Sequence, residues 1–376
     1  MNNKYTAIED ENGKLITKEE DINNETVKHY KKVLENRKMS PNLAEYQKQR
    51  EKLCESRIKE AKKNKTPDWT EANVKRVIKE LKKKKSRDPH GYSNEIIQEG
   101  GGDLQSAILK LMNNIKTQQT FPECLEPCNI TSLFKNKGSR RNLNFYRGIF
   151  RVSVFRNILD RLIFNDEYKN IDKNLTDSNV GGRKGRGIRD NLYVINAITN
   201  SVRNGGEDSC DIQVFDVEKC FDSLWVQECV NTLYEYGFKN DKLVLLYEET
   251  KNAKIATKTP NGKTYRENIE NIIMLGTVFG SLICTAVMDK LAQIFYENQD
   301  LVYKYKDKVD VPVDDVLCVT KCSNKTIAAN ATINSFMELN KLKLSAEKCS
   351  KIHIGKKNNQ CPQLKVHERE MKQTQK

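Results

Sequence analysis

The chain has 376 residues, room for two or three ordinary domains, and 37% of them are apolar, enough for a sizeable core. A formal charge of +14 suits a polyanionic partner, which a Lys/Arg surface binds by releasing counterions, although solvated lysine-rich faces give the same balance. The opening residues hold no apolar stretch, no run approaches 18 apolar residues (the span test), and the 11 cysteines include no C-x-x-C pair; a signal peptide, a membrane span, zinc sites and disulfides are therefore not expected, and an intracellular location, nuclear or cytoplasmic rather than secreted, is.

Residues 1–66 are charged and weakly patterned and read as a helical linker region. Val27, Tyr30, Val33 and Leu34 mark one short amphipathic helix that Pro41 stops, and a second, with a thin apolar face, runs over residues 43–61. Residues 67–125 are better patterned. Thr70 caps a helix with Val74, Val77, Ile78 and Leu81 on one face; Lys82 to Lys85 follow, and Pro89 and Gly91 break the helix. Leu104, Ile108, Leu111, Met112 and Ile115 stripe the next helix, which ends at Phe121 and Pro122.

Residues 128–134 read as a strand, residues 135–138 as a basic turn, and residues 144–149 as a return segment leading to a helix with Val154, Ile158 and Leu162. A hairpin tipped with Lys135, Arg140 and Arg141 is a cradle for a triphosphate, which carries about four negative charges. A Gly/Arg-rich loop, residues 179–187, precedes a helix with Leu192, Ile195, Ile198 and Val202. An apolar run, residues 212–215, then delivers Asp216; Phe221 comes five residues later, followed by a helix with Val226, Cys229, Val230 and Leu233. Asn261 and Gly262 signal a hairpin tip, and Gly276 and Gly280 lead into a helix with Met288, Leu291, Ala292 and Phe295. Asp314 and Asp315 stand side by side between Val-rich runs. Adjacent like charges repel unless a cation sits between them, and two or three gathered carboxylates can hold two Mg²⁺ ions about 3.5–4 Å apart for nucleotidyl transfer. Residues 325–342 read as a helix, residues 352–355 as a last strand and residues 356–376 as a charged tail.

FDVEKCFDSLW, which contains Asp216, resembles motif A of reverse transcriptases, and VDDVLCV, which contains Asp314, resembles their motif C. The ordered motifs over residues 70–355 are similar to those of the non-long-terminal-repeat (LINE-type) retrotransposon enzymes. The resemblance implies an α+β fold, a right-hand polymerase with fingers and palm over residues 126–355, residues 67–125 as an extension to the fingers, and an N-terminal helical extension; the family's thumb helices and its usual upstream endonuclease are not read in these residues. It implies RNA-directed DNA synthesis, with an RNA template, a DNA primer and deoxynucleoside triphosphates as partners, no membrane, and two Mg²⁺ ions, or Mn²⁺ in their place, as cofactor.

Residue by residue, the resemblance makes Asp216 a ligand of both metals, joined by the Val217 carbonyl and by Asp314, with Asp315 in support. Phe221 would be the steric gate against a 2′-hydroxyl. Arg147, in the pattern Asn, Tyr, Arg, Pro, Ile with Gly148 in place of the proline, would point at the nucleotide phosphates near Lys135. Lys84 and Lys85 would lie near the template, and Arg183 and Arg186 at template or primer phosphates. Gly276 would let the nucleotide approach the backbone, with Leu275 where the family has Gln. Lys348, in motif D, would serve as a general acid at the leaving pyrophosphate. Leu275 and Pro312 leave open a weak or inactive copy acting as a nucleic-acid-binding module. An RNA-dependent RNA polymerase is opposed by Phe221, because ribonucleotide use calls for a small or polar residue there.

Overall fold

The computed structural model describes residues 7–10, 12–34, 38–125, 128–205, 209–258, 264–270, 277–298, 309–310, 315–320, 323–355, 364–366 and 369–375. In chain order its elements are β1 (Ile8–Glu9), β2 (Leu15–Ile16), α1 (Glu19–Leu34), α2 (Ala44–Ala61), α3 (Glu71–Glu80), α4 (Asn94–Glu99), α5 (Gly101–Gln118), β3 (Cys128–Phe134), β4 (Tyr146–Arg151), α6 (Val154–Asp172), α7 (Ile188–Arg203) and β5 (Ser209–Asp216). There follow α8 (Cys220–Ser223), α9 (Val226–Glu235), α10 (Asp241–Lys251), β6 (Asn252–Lys258), β7 (Thr264–Glu270), α11 (Val278–Glu297), β8 (Val309–Asp310), β9 (Asp315–Thr320), α12 (Ser323–Leu339), β10 (Ser350–Gly355), β11 (Lys365–Val366), β12 (Arg369–Glu370) and β13 (Lys372–Gln375).

These elements form two compact units. The first comprises Met1–Asn36, Glu55–Tyr168 and Lys239–Gly280. Thr70 caps α3 as its sequence predicts: its hydroxyl accepts from the Asn73 N–H, and the Asn73 side chain accepts from the Thr70 N–H. The buried face of α3, Val74, Val77 and Ile78, packs on α5. A four-stranded sheet has the order β4-β3-β6-β7, with β3 and β4 an antiparallel hairpin and β6 parallel to β3. The strands β6 and β7 pair antiparallel as the Asn261–Gly262 signal predicts, and the tip itself, residues 259–263, lies outside the described residues.

Residues 1–66, read from the sequence as a helical linker region, include a helix that packs on the sheet of this unit. Tyr30 and Leu34 of α1 pack with Cys128, Ile130, Phe150 and Ile255, and Ile22 packs with Ile8, Leu143 and Tyr146. The buried residues of α1 are Ile22, Asn23, Thr26, Tyr30 and Leu34, so polar Asn23 and Thr26 share the inward face with the apolar residues and dilute its signal. Between α6 and α10 of this unit, Arg156, Asp160 and Glu249 are buried together.

The second unit comprises Arg37–Cys54, Lys169–Phe238 and Ser281–Lys376. Its five-stranded sheet has the order β13-β10-β5-β9-β8, with β5 in the centre and antiparallel to both neighbours. Alternation along β5 gives each face its own task. Cys210 and Ile212 pack with Val319 under Ile198 and Val202 of α7. Asp211 is buried, accepts from Thr326 of α12 (2.7 Å), and pairs with Lys351 (3.3 Å) and His353 (2.8 Å). The first part of α2 belongs to this unit too: the Arg50 guanidinium donates to both carboxylate oxygens of Glu228, at 2.7 and 2.6 Å.

The charged tail of residues 356–376 supplies the β11–β12 hairpin and β13, which pairs parallel with β10 and edges the sheet. Helix α11 is long and apolar enough, by composition alone, to cross a membrane; 72% of that stretch is buried inside the protein, as in a core helix. Burial pushes the Cys128 and Cys318 thiols up to about 12.

Candidate active site

The central strand β5 ends at Asp216, and its ladder sets Asp315 of β9 directly opposite. Directly opposed residues of antiparallel strands share a face, and like charges there are destabilising unless a cation is near. A cation is present: the Lys348 ammonium lies 2.7 Å from Oδ2 and 3.0 Å from Oδ1 of Asp216. The backbone fixes this arrangement. Ser345 N–H donates to the Asp216 carbonyl (2.8 Å) and Glu218 N–H to the Lys343 carbonyl (2.7 Å), so that Val217 bridges Leu344. Neither bond uses the Val217 carbonyl.

Lys219 then takes a left-handed conformation, φ 51°, which breaks the chain away from the strand before α8. Cys220 is buried with its Sγ 3.3 Å from that of Cys284 on α11, while Phe221, the next residue around the helix, is only partly buried. The helix expected directly after Phe221 is thus one turn, and the longer α9 begins at Val226.

The Asp216 carboxylate, with the Lys348 ammonium seated on it, offers hard oxygen donors of the kind that suit a divalent cation. Among the described residues no three His, Cys, Asp or Glu residues gather as a metal cluster. Asp314, the expected motif C ligand, lies outside them, as do Gly276, Leu275 and Pro312.

In the first unit, Arg147 is exposed on β4, opposite the half-exposed Leu133 of β3. The Lys135 ammonium donates to the Asn144 carbonyl (2.9 Å) across the turn, so it ties the hairpin ends together as well as adding charge. Gly138 sits at φ 73°, and a Cβ there would come within 2.5 Å of the Phe145 ring. Lys84 and Lys85 are exposed. The turn after them is anchored by Asp88, whose carboxylate accepts from the N–H groups of His90 (2.9 Å), Tyr92 (2.8 Å) and Val154 (3.0 Å), the last at the start of α6.

The Gly/Arg-rich loop of the second unit is built onto α11. Asn179 Nδ2 donates to the Thr285 carbonyl (2.9 Å), and the Thr285 hydroxyl donates to the Gly181 carbonyl (2.8 Å). Gly182, at φ 66°, would place a Cβ 3.0 Å from that hydroxyl, which accounts for the missing aromatic. Arg183 corrects an expectation. Its guanidinium bonds Asp172 Oδ1 (2.8 Å) and the carbonyls of Thr176 (2.7 Å), Asn179 (3.0 Å) and Asp172 (3.1 Å), and its side chain is buried, so it braces the loop from inside and is not placed for a phosphate. Arg186 instead pairs with Asp177 (2.8 Å) at the surface.

The sequence reading passed over Asp289. It is buried on α11 and accepts from the hydroxyls of Thr176 and Tyr236, both at 2.6 Å. Burial holds its carboxyl above the usual carboxylate range, against the pull of those bonds. The available signal was one acid at a core position of an apolar helix.

Residues 136–373, from the turn after β3 into β13, match the family described as reverse transcriptase (RNA-dependent DNA polymerase). That span covers more than half of the 376 residues and includes Arg147, Asp216, Phe221, Asp315 and Lys348. The mixed α/β architecture is that of reverse-transcriptase fingers and palm, and the chain belongs to the reverse transcriptase family of RNA-directed DNA polymerases.

Proposed function

We propose that this reverse transcriptase copies RNA into DNA by two-metal nucleotidyl transfer, in the setting of a LINE-type retrotransposon. The observation that carries the metal reading is the end of β5, where Asp216 meets Asp315 in register under the ammonium of Lys348. Asp216, the Val217 carbonyl and Asp314, with Asp315 in support, would hold the ions. Bound there, Mg²⁺ or Mn²⁺ supplies the Lewis acidity that activates a primer 3′-hydroxyl and offsets the charge on the triphosphate and pyrophosphate. Arg147, with Lys135 at the same hairpin and Gly276, would hold the nucleotide, and Lys84, Lys85 and Arg186 the nucleic-acid phosphates. Lys348 would donate its proton to the leaving pyrophosphate.

The metal reading is tested by Mn²⁺ binding, followed by electron paramagnetic resonance. Asp216→Asn is expected to lose that binding, and a wild-type affinity in this variant would contradict the proposal. Lys348→Gln is expected to bind Mn²⁺ about twofold to fivefold more tightly, because an exposed ion pair competes only weakly with the metal. An unchanged or weaker affinity would show that Lys348 does not share the metal's position.

Phe221 is partly buried and stands second in the short helix α8, after the buried Cys220. As a gate it would exclude a 2′-hydroxyl by volume. Phe221→Val is expected to narrow the preference for deoxynucleotides over ribonucleotides by about a hundredfold, the scale of steric discrimination in an apolar pocket. Single-nucleotide incorporation with dNTP and rNTP measures that ratio, and an unchanged ratio would assign Phe221 to packing.

A further inference from the structure

Side chains of α1 back the hairpin that carries Arg147, and one of them, Tyr30, lies at the rung beside it. Tyr30 is almost fully buried, and its hydroxyl donates to Ser132 Oγ at 2.8 Å. Ser132 stands opposite Gly148 in the β3–β4 ladder. A Cβ at Gly148 would come within 2.9 Å of the Tyr30 ring and 3.3 Å of Ile130 Cγ2. One aromatic ring therefore touches both strands of the hairpin at the same rung. Leu34 extends the contact into the cluster of Cys128, Ile130, Phe150 and Ile255.

Gly148 is thus small for reasons of space. Its φ lies outside the left-handed region, so no conformational freedom is needed there. Residue 148 gives up its side-chain volume to Tyr30. Arg147 is the adjoining residue, and successive strand residues face opposite sides. With Gly148 held against α1, Arg147 is turned to the other, exposed face beside Leu133.

We infer that Tyr30 is a positioning residue for nucleotide binding: by filling the space over Gly148 and bonding Ser132, it sets the rung from which Arg147 reaches the triphosphate. The inference rests on the proposed phosphate contact of Arg147. It assigns α1 a part in substrate recognition even though α1 carries no group that touches substrate.

The test is steady-state extension of a DNA primer on an RNA template, with the deoxynucleotide concentration varied and thermal melting followed in parallel. Gly148→Ala is expected to raise KM for the nucleotide about tenfold, with kcat changed less than about twofold, the signature of lost positioning in binding. Affinity for the primer–template should not change. Adding Tyr30→Leu to Gly148→Ala removes the ring that the new methyl meets, and is expected to bring KM back to within about threefold of wild type. Tyr30→Phe, which removes only the hydroxyl, is expected to raise KM about twofold to threefold.

Arg147→Ala separates the two ideas. If it leaves KM unchanged, the phosphate contact fails and the inference falls with it. If Arg147→Ala raises KM while Gly148→Ala folds and does not, the positioning role of Tyr30 alone is overturned. Should Gly148→Ala not fold, Tyr30→Phe decides: a wild-type KM overturns the inference, and a raised KM at an unchanged melting temperature supports it.

Discussion

Asp216→Asn is expected to lower RNA-templated primer extension about a thousandfold or more, with the fold and the affinity for RNA preserved. Metal-held charge stabilisation contributes several kcal/mol in the transition state, and each 1.36 kcal/mol is about tenfold in rate. The structural loss is small. Asp216 ends its strand, is partly exposed, and its partner Lys348 is more than half exposed, so the ion pair adds about 0–1 kcal/mol to stability. The backbone bond that fixes the strand end runs from the Ser345 N–H to the Asp216 carbonyl and survives the change. Extension assays beside a melting curve separate the two effects. A variant that loses its fold together with its activity would make Asp216 a structural residue.

The largest expected effect on stability is at Arg156. Its guanidinium lies 3.4 Å from both the carboxylate and the carbonyl of Glu249, over the Phe121 ring. Burial raises the Asp160 and Glu249 carboxyls above the usual carboxylate range, with Arg156 pulling them back down. Removing the arginine leaves Glu249 without its ion-pair partner and Asp160 with Arg161 alone, and Arg156→Met is expected to cost about 3–5 kcal/mol.

The pH dependence follows from the direction of those shifts. A carboxyl whose folded pKa is raised contributes stability that is complete below the unfolded carboxylate pKa and is lost as pH rises through the folded value. Without Arg156 the folded values rise further, so the loss in Arg156→Met should be larger at pH 8 than at pH 5. Glu249→Gln, which keeps the shape and removes one ionisable group, should flatten the dependence. Denaturant unfolding at the two pH values measures this, and an equal loss at both would contradict the raised carboxyl values.

What was legible in the sequence was local. The Thr70 cap, the stripe of α3, the strand delivering Asp216 and the Asn-Gly hairpin each depend on a few neighbouring residues, and each stands in the fold as read. What was not legible depends on partners far along the chain. The register that sets Asp315 against Asp216 is a property of the β5–β9 ladder. Arg183 turns inward because Asp172 and three carbonyls wait for it and because Gly182 takes a left-handed turn over Thr285. Lys372 to Gln375 have no alternation and little β-propensity, and are a strand only because the edge of β10 offers unpaired backbone. Tyr30 looked like one residue of a weak stripe until the sheet beneath it left a gap of its size at Gly148.

The most direct measurement is extension of a DNA primer on an RNA template by the whole chain with deoxynucleotides and Mg²⁺, run beside Asp216→Asn. The account predicts DNA product that requires the divalent ion and vanishes in the variant. A folded wild-type chain that binds the primer–template without extending it, or extension undiminished by the loss of Asp216, would contradict it.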